Sequence, residues 1–407
     1  MTSMAATPIG LARLAKLAFD GADLSLLWDE LSARALAASP DAGALMDLST
    51  IAQLMGRRKD RVALQAHALA LQRVYRRPPA VASDNGLRLL AFTAPGDFLA
   101  NTPLEFLLEG SSITLDMVYV IPGLPLPQPL PDHDVALVAA TELEDNRAIL
   151  GEIAALAPSW PRPILNAPAR IARLTRDGAW ALLRSVPGVM FPMNARIDRR
   201  GLIAMARGDT IPEAVLDGRG YPIVARPLDS HAGEGLSRLE SPSAVADYLA
   251  ARAEQHFFIA PFVDYRSPDS LYRKYRIALI DGRPFACHMG VSSHWMIHYL
   301  NAGMNESAQK RAEEAKFFAE FDRDFALRHA DVLAALAERI GLDYVTVDCG
   351  ETRDGQLLIF EAGNGMIVHA MDPPELFPYK PPQMHKVFAA FEAMLRRANV
   401  PTAACAA

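Results

Sequence analysis

Two carboxylates near the C-terminal third set the first chemical question. In YVTVDCGETRDGQLLIFEAGN (344–364), apolar runs flank an Asp354-Gly355 turn signal. A hairpin there lays its strand ends side by side, which brings Asp348, Glu361 and the amide of Asn364 within reach of one hard cation. Carboxylates among apolar neighbours are costly unless a metal or a cation balances them. Cations stand upstream in LYRKYRIALIDGRPF (271–285), where a period of two puts Lys274 and Arg276 on one strand face. Two cations on one face suit an anion, although a solvated strand face would show the same pattern. A third cation, Arg226, lies in YPIVARPLDSHAGEGLSRL (221–239), on an apolar strand that runs into a loop holding Gly233 and Gly235. Glycines let a backbone approach a ligand and expose N–H groups, and a long cation beside them can reach a phosphate oxygen. The alternative is a hairpin whose glycines only make the turn. No Gly-Lys-Ser/Thr follows, so this is not a P-loop. Finally, HFFIAPFVDY (256–265) reads as a hydrophobic edge strand containing Pro261, able to offer backbone groups and apolar side chains to an adenine ring.

The elements that must hold these groups follow from periodicity. Residues 8–78 are rich in Ala and Leu at helical spacing, with Asp47, Ser49 and Thr50 as N-cap candidates and one tetratricopeptide-like helix expected over 63–77. RRPPAVAS (76–83) reads as a linker. Short strands are expected at 87–92, 113–121, 135–140 and 162–165, with helices at 104–109 and 142–157, which together describe a small open α/β sheet. From Asn166 onward the pattern turns to hairpins, the clearest at Asp281-Gly282.

The chain has 407 residues, enough for two or three domains. Its 51% hydrophobic and 22% charged content is that of a globular protein. A net charge of -6 argues against nucleic acid as a partner. Cys287, Cys349 and Cys405 are too scattered for a disulfide framework and fit a reducing cytoplasm. The first residues read as a helix rather than a signal peptide, and no uninterrupted apolar run approaches the ~18 residues a membrane span needs.

Taken in order, cation on a strand, glycine loop, apolar hinge, Arg strand, then acid, Glu and Asn, these motifs resemble the ATP-grasp superfamily. The nearest likeness is to ribosomal-protein-glutamylating (RimK-type) and glutathione-synthetase-like ligases. LNAPARIARLTRDGAWALLRSVPGVMFP (165–192) is similar to the segment that precedes the nucleotide motifs in that family. The resemblance implies an α/β (α+β ATP-grasp) fold: a helical N-terminal region over 1–82, a small Rossmann-like pre-ATP-grasp domain over 83–165, and a two-lobed ATP-grasp domain over 166–400. It also implies ATP and Mg2+ as cofactors. Arg176 and Arg226 would take the two phosphate-binding positions that are usually lysine. Ser230, His231, Gly233 and Gly235 would form the phosphate lid, and Pro261, Phe262 and Val263 the adenine hinge. Arg276, Arg226 and His288 would serve the reacting phosphoryl group, His288 standing where the family often has Arg. Asp348, Glu361 and Asn364 would hold Mg2+. The Glu-x-Asn signature is one residue longer here, Glu361-Ala-Gly-Asn364, so that either Gly363 or Asn364 falls at the third position.

The implied reaction is carboxylate–amine ligation through an acyl phosphate, acting on small-molecule or peptide substrates and compatible with a homodimer. Lys274, His294, His298 and His369 are expected to face substrate. His294 and His298 have the i, i+4 spacing of a helical metal pair, but no third ligand accompanies them. Cys287 and Cys349 read as inert core residues. A kinase that phosphorylates a hydroxyl, and a degenerate ATP-grasp scaffold with a helical interaction region, share the same motifs.

Overall fold

The structure, a computed structural model, describes residues 6–83, 85–228, 230 and 233–399. It is a mixed α/β protein of two compact units. One runs to Ala172 and takes in Leu342–Tyr344 and the chain from Gly363; the other is Arg173–Gly341 with Val345–Ala362. Among the described residues no helix is long and apolar enough to cross a membrane.

In the first unit the N-terminal apolar spacing produces the helices Leu11–Phe19, Ser25–Ala35, Ala42–Leu54 and Arg58–Leu71. The cap of the third is Asp41, which accepts from the N–H groups of Gly43 and Ala44 at 2.8 and 3.1 Å. Asp47, Ser49 and Thr50 lie inside that helix instead. Asp47 is buried and accepts from Ile9 and Gly10 N–H at 2.7 and 3.0 Å. The helix expected over 63–77 stops at Leu71. Gln72 is extended, and Val74–Arg77 forms β1. A Val-Tyr pair prefers a strand, and tertiary pairing with Val118 and Met117 of the strand Thr114–Tyr119 decides the matter. Tyr75 thereby joins Leu31, Leu45 and Ile51 in a single core, so the helices and the sheet belong to one unit.

The other strands of this sheet are β2 (Arg88–Thr93), β3 (Thr114–Tyr119), β4 (Val135–Val138) and β5 (Ile164–Leu165), in the order β1-β3-β2-β4-β5. All but β1 run parallel, and every residue of β4 is buried, as a strand covered on both faces requires. Asn166 follows β5 at φ 56°, a conformation Asn tolerates. Its fully buried amide donates to the carbonyl of Tyr344 at 3.0 Å and accepts that residue's N–H at 2.9 Å.

The second unit holds β6 (Val189–Met190), β7 (Ala195–Asp198), β8 (Ile223–Pro227), β9 (Ser237–Leu239), β10 (His256–Pro261), β11 (Tyr272–Ile280), β12 (Arg283–Ser292), β13 (Tyr344–Glu351) and β14 (Leu357–Gly363). One sheet has the order β7-β10-β8-β9, the other β12-β11-β13-β14-β6. The strand β10 is thus interior, not the edge strand expected. Only its last residues, Ala260 and Pro261, extend past the pairing with β7, so the proline sits where no donor is needed on that side. The Asp281-Gly282 turn forms as expected, both residues at positive φ (48° and 73°), which matches a hairpin's own twist.

Each of these sheets is covered by helices on one face. Leu202, Met205, Val245 and Leu249 from Arg199–Arg207 and Pro242–Ala250 pack on Ile223, Ala225, Phe257 and Ile259. Phe317 and Phe325 lie 5.0 and 4.9 Å from Tyr275 on β11. By strand alternation Arg226, Lys274 and Arg276 fall on the opposite faces.

Asn166→Ala would remove two buried hydrogen bonds to the Tyr344 backbone, at about 0.5–1.5 kcal/mol for each. The expected outcome is a lowered urea midpoint with an unchanged slope; a variant as stable as the parent would contradict the clamp.

Candidate active site

The second unit brings most of the candidate charges together. Lys274 and Arg276 stand on the same face of β11, as their spacing predicts, and β13 lies beside that strand. Asp348 on β13 is closed off from solvent. Its Oδ1 accepts from Arg276 Nε at 2.7 Å, its Oδ2 from an Arg276 terminal nitrogen at 2.9 Å, and Lys274 Nζ lies 2.6 Å from the same Oδ2. The Arg276 contact is a two-point fork, the strongest geometry available to this pair. His288 on β12 is directly opposite Arg276 in the ladder, and its ring lies 5.0 Å from that of Tyr299.

Glu361 on β14 is ion-paired to Arg176, the first residue of the helix Arg176–Leu183, which also donates to the Phe360 carbonyl at 3.3 Å. Five residues, 352–356, join β13 to β14. That is too short for a parallel crossover, so the two strands form the expected hairpin. From the other sheet comes Arg226, buried, donating from Nε to Ser230 Oγ at 3.1 Å and from its fork to the Ser230 carbonyl. Ser230 Oγ in turn donates to the Pro227 carbonyl at 2.9 Å. Gly233 and Gly235 both take positive φ, and a Cβ on Gly235 would lie 2.6 Å from Pro227 Cδ, so a side chain there has no room. His231 lies outside the described residues.

The electrostatics follow from burial and charge count. Burial pushes the Arg226 guanidinium down to about 9, helped by nearby Arg176 and opposed by Glu361. It remains a cation at neutral pH. Burial raises the Glu361 carboxyl, but Arg176, with Lys274 and Arg226, overcomes this and holds it at about 2. For Asp348, burial again opposes ionisation. Arg276 and Lys274 outweigh it and keep the group well below the carboxylate range. Burial, then Lys274 and Arg276, also holds His298 below its ordinary value. Four cations (Arg176, Arg226, Lys274, Arg276) thus surround two carboxylates.

The remaining candidates are placed differently. His294 and His298 are not on one helix. The chain bends at 293–296, and His298 is the N-cap of a short turn at Tyr299–Asn301. His294 is hydrogen-bonded to Met296 N–H at 3.2 Å and stacks on Trp295. Phe262 has Arg238 over its ring at 4.0 Å and Trp295 edge-on at 5.6 Å, while its N–H donates to the Pro222 carbonyl at 3.0 Å. Pro261 ends β10, and Val263 follows Phe262. In the first unit, His369 lies between Phe19 and Phe106, at 6.4 and 6.2 Å. Asn364, also there and fully buried, sits past the carboxyl end of β4, a place where open α/β sheets often admit ligands. Its Nδ2 faces Thr102 Oγ1 at 3.0 Å and the carbonyls of Ala139 and Ala140 at 3.3 and 3.2 Å, while its Oδ1 has no hydrogen-bond partner. Cys287 and Cys349 are buried thiols whose ionisation burial suppresses.

One buried acid was not foreseen. Glu314 accepts from Met289 N–H at 3.1 Å and from Tyr299 OH at 3.0 Å, which fixes the turn beside His288. The signal was present: Glu314 shares a helical stripe with Phe317, Phe318 and Phe321.

Both carboxyl groups have folded pKa values below their unfolded ones, so their contribution is present above the unfolded value and is lost as pH falls. The urea midpoint of the protein alone should fall from about pH 4.5, the ordinary value for Glu361, down through about 2. Asp348→Asn would strand Arg276 and Lys274 and is expected to cost about 3–5 kcal/mol at pH 7, with the melting temperature partly restored by inorganic triphosphate.

No protein-family model matches the sequence, and no curated protein matches it. Solved structures do align with it. The crystal structure of VanG D-Ala:D-Ser ligase from Enterococcus faecalis shares 9% identity over 76% of this chain and 100% of its own, with a TM-score of 0.46. A RimK domain ATP-grasp protein from Sphaerobacter thermophilus shares 18% over 76% of this chain and 99% of its own, with a TM-score of 0.39. D-alanine–D-alanine ligase from Bacillus anthracis, complexed with ATP, shares 12% over 77% of this chain and 97% of its own, with a TM-score of 0.44.

Proposed function

We propose that this chain is a Mg-ATP-dependent carboxylate–amine ligase of the ATP-grasp kind. One observation carries the reading: four cations and two carboxylates, from two separate sheets and the start of the helix Arg176–Leu183, converge within one unit. Among the described residues, four positive charges against two negative ones leave a net charge of +2, a cradle for a polyanion such as a nucleotide triphosphate. Purely structural ion pairs would tend to cancel.

Arg176 and Arg226 are positioned for the inner phosphates and Lys274 and Arg276 for the transferred one, with His288 beside Arg276. Ser230, Gly233 and Gly235 flank the phosphates as a loop, and Pro261, Phe262 and Val263 take the adenine end. The donor set suits a hard divalent ion. Mg2+ commonly uses one or two carboxylates and completes its shell with phosphate oxygens and water. Asp348 and Glu361 would supply the two carboxylates; among the described residues no group of three or more acidic, His or Cys side chains could hold a metal. The metal would neutralise charge on the phosphate oxygens.

The chemistry asks the protein for position and counter-charge. A substrate carboxylate oxygen bonds to the γ-phosphorus as the β,γ-bridging oxygen leaves with ADP. An amine then attacks the acyl carbon, inorganic phosphate departs, and the amine's proton passes to solvent. Arg276 and Lys274 stabilise the transferring group throughout, and His298, held neutral, lines the approach without adding charge. His294 and His369 remain proposed substrate contacts.

The test is ADP release across a panel of carboxylic acids and amines. Release that needs both, and that falls by about a hundredfold or more in Arg226→Ala and Glu361→Ala, supports the ligase. A stable phosphorylated product with no amine requirement makes it a kinase, and absence of nucleotide binding leaves a scaffold.

A further inference from the structure

Resting on the nucleotide reading above, we infer that the divalent metal enters this site only with or after the phosphates, and that Lys274 is the residue that hands Asp348 over to it. The cations that would grip the phosphates are the same ones that already occupy the carboxylates. Asp348 has both oxygens engaged, Oδ1 by Arg276 at 2.7 Å and Oδ2 by Arg276 at 2.9 Å and Lys274 at 2.6 Å. Glu361 is held by Arg176. A divalent ion arriving alone would have to displace these contacts and then sit among four cations. It would also take the carboxylate from the displaced Arg176 and Lys274, whose side chains are only 18% and 19% exposed.

A triphosphate reverses the balance. Its oxygens accept the cations, each carboxylate is released as its cation moves, and the freed carboxylates together with the phosphates make the oxygen shell that the ion needs. Lys274 and Arg276 differ in how readily they make this exchange. Arg276 is locked to Asp348 by a planar fork, whereas Lys274 is a point donor on a flexible stem with a single contact to that carboxylate. Lys274 therefore moves first, freeing one acceptor position on Oδ2 while the Arg276 fork still holds both oxygens.

The test follows Mn2+ by the loss of its free-ion electron paramagnetic resonance signal. With the full chain and Mn2+ alone, the signal should stay that of the free ion. Lys274→Met, or Lys274→Gln if the first does not fold, should gain Mn2+ binding without nucleotide, tighter by about tenfold or more, and Lys274→Met combined with Asp348→Asn should lose it again. Adding a non-hydrolysable ATP analogue to the parent should produce a protein-bound Mn2+ signal distinct from that of the analogue alone. Mn2+ uptake by the nucleotide-free parent that disappears in Asp348→Asn overturns the binding order, as does a folded Lys274 variant with no gain. If the analogue binds neither with nor without Mn2+, the nucleotide reading itself falls and takes the order with it.

Discussion

The rest of the second unit depends on one buried carboxylate and the cations around it. Asp348 has no solvent exposure, and an ionised carboxylate in such a place is tolerable only if it is paired and hydrogen-bonded. Arg276 and Lys274 meet that condition from the neighbouring strand. They can do so only because β11 and β13 are adjacent and because alternation turns both cations to the face that the aromatic helices leave uncovered. A slip of one residue in β11 would exchange them for Arg273 and Tyr275, and one in β13 would replace Asp348 by Val347 or Cys349. Arg273 shows what the opposite face demands: it is paired with Asp269 and Glu313, in a setting that has nothing to do with Asp348.

This constraint explains why the charges surplus to Asp348 are tolerable as well. Glu361 takes Arg176. Arg226, on the other sheet, spends its donors on the hydroxyl and carbonyl of Ser230, groups that satisfy its hydrogen bonds without cancelling its charge. A buried guanidinium whose hydrogen-bond partners among the described residues are neutral acceptors keeps its positive field, which is a poor device for stability and a good one for drawing an anion. The loop that carries Ser230 continues to the positive-φ glycines 233 and 235, the second packed so closely on Pro227 that only glycine fits.

Much of this was legible in the sequence, for identifiable reasons. Lys274 and Arg276 share a face because a strand has a period of two, and the Asp281-Gly282 turn declares its hairpin through residues that accept positive φ. The order of acid and cation segments along the chain was readable too. Pairings were not: Arg176 and Glu361 are 185 residues apart, and nothing local marks them as partners. Tyr75 and its neighbours looked helical because the preceding Ala-rich run is helical, and only the distant β3 makes them a strand. The interior position of β10 was missed because Pro261 suggested an edge, when the proline merely ends the strand. Glu314 was passed over because a lone acid in a charged helix normally faces water.

The central claim is that the second unit binds a nucleotide triphosphate with a divalent metal through Arg226 and Glu361. Isothermal titration of the full chain with ATP in the presence of Mg2+ tests it most directly. The account predicts saturable binding at one site per chain, with the heat lost in both Arg226→Ala and Glu361→Ala proteins that remain folded by circular dichroism. No binding by the parent, or binding that both variants retain, would contradict it.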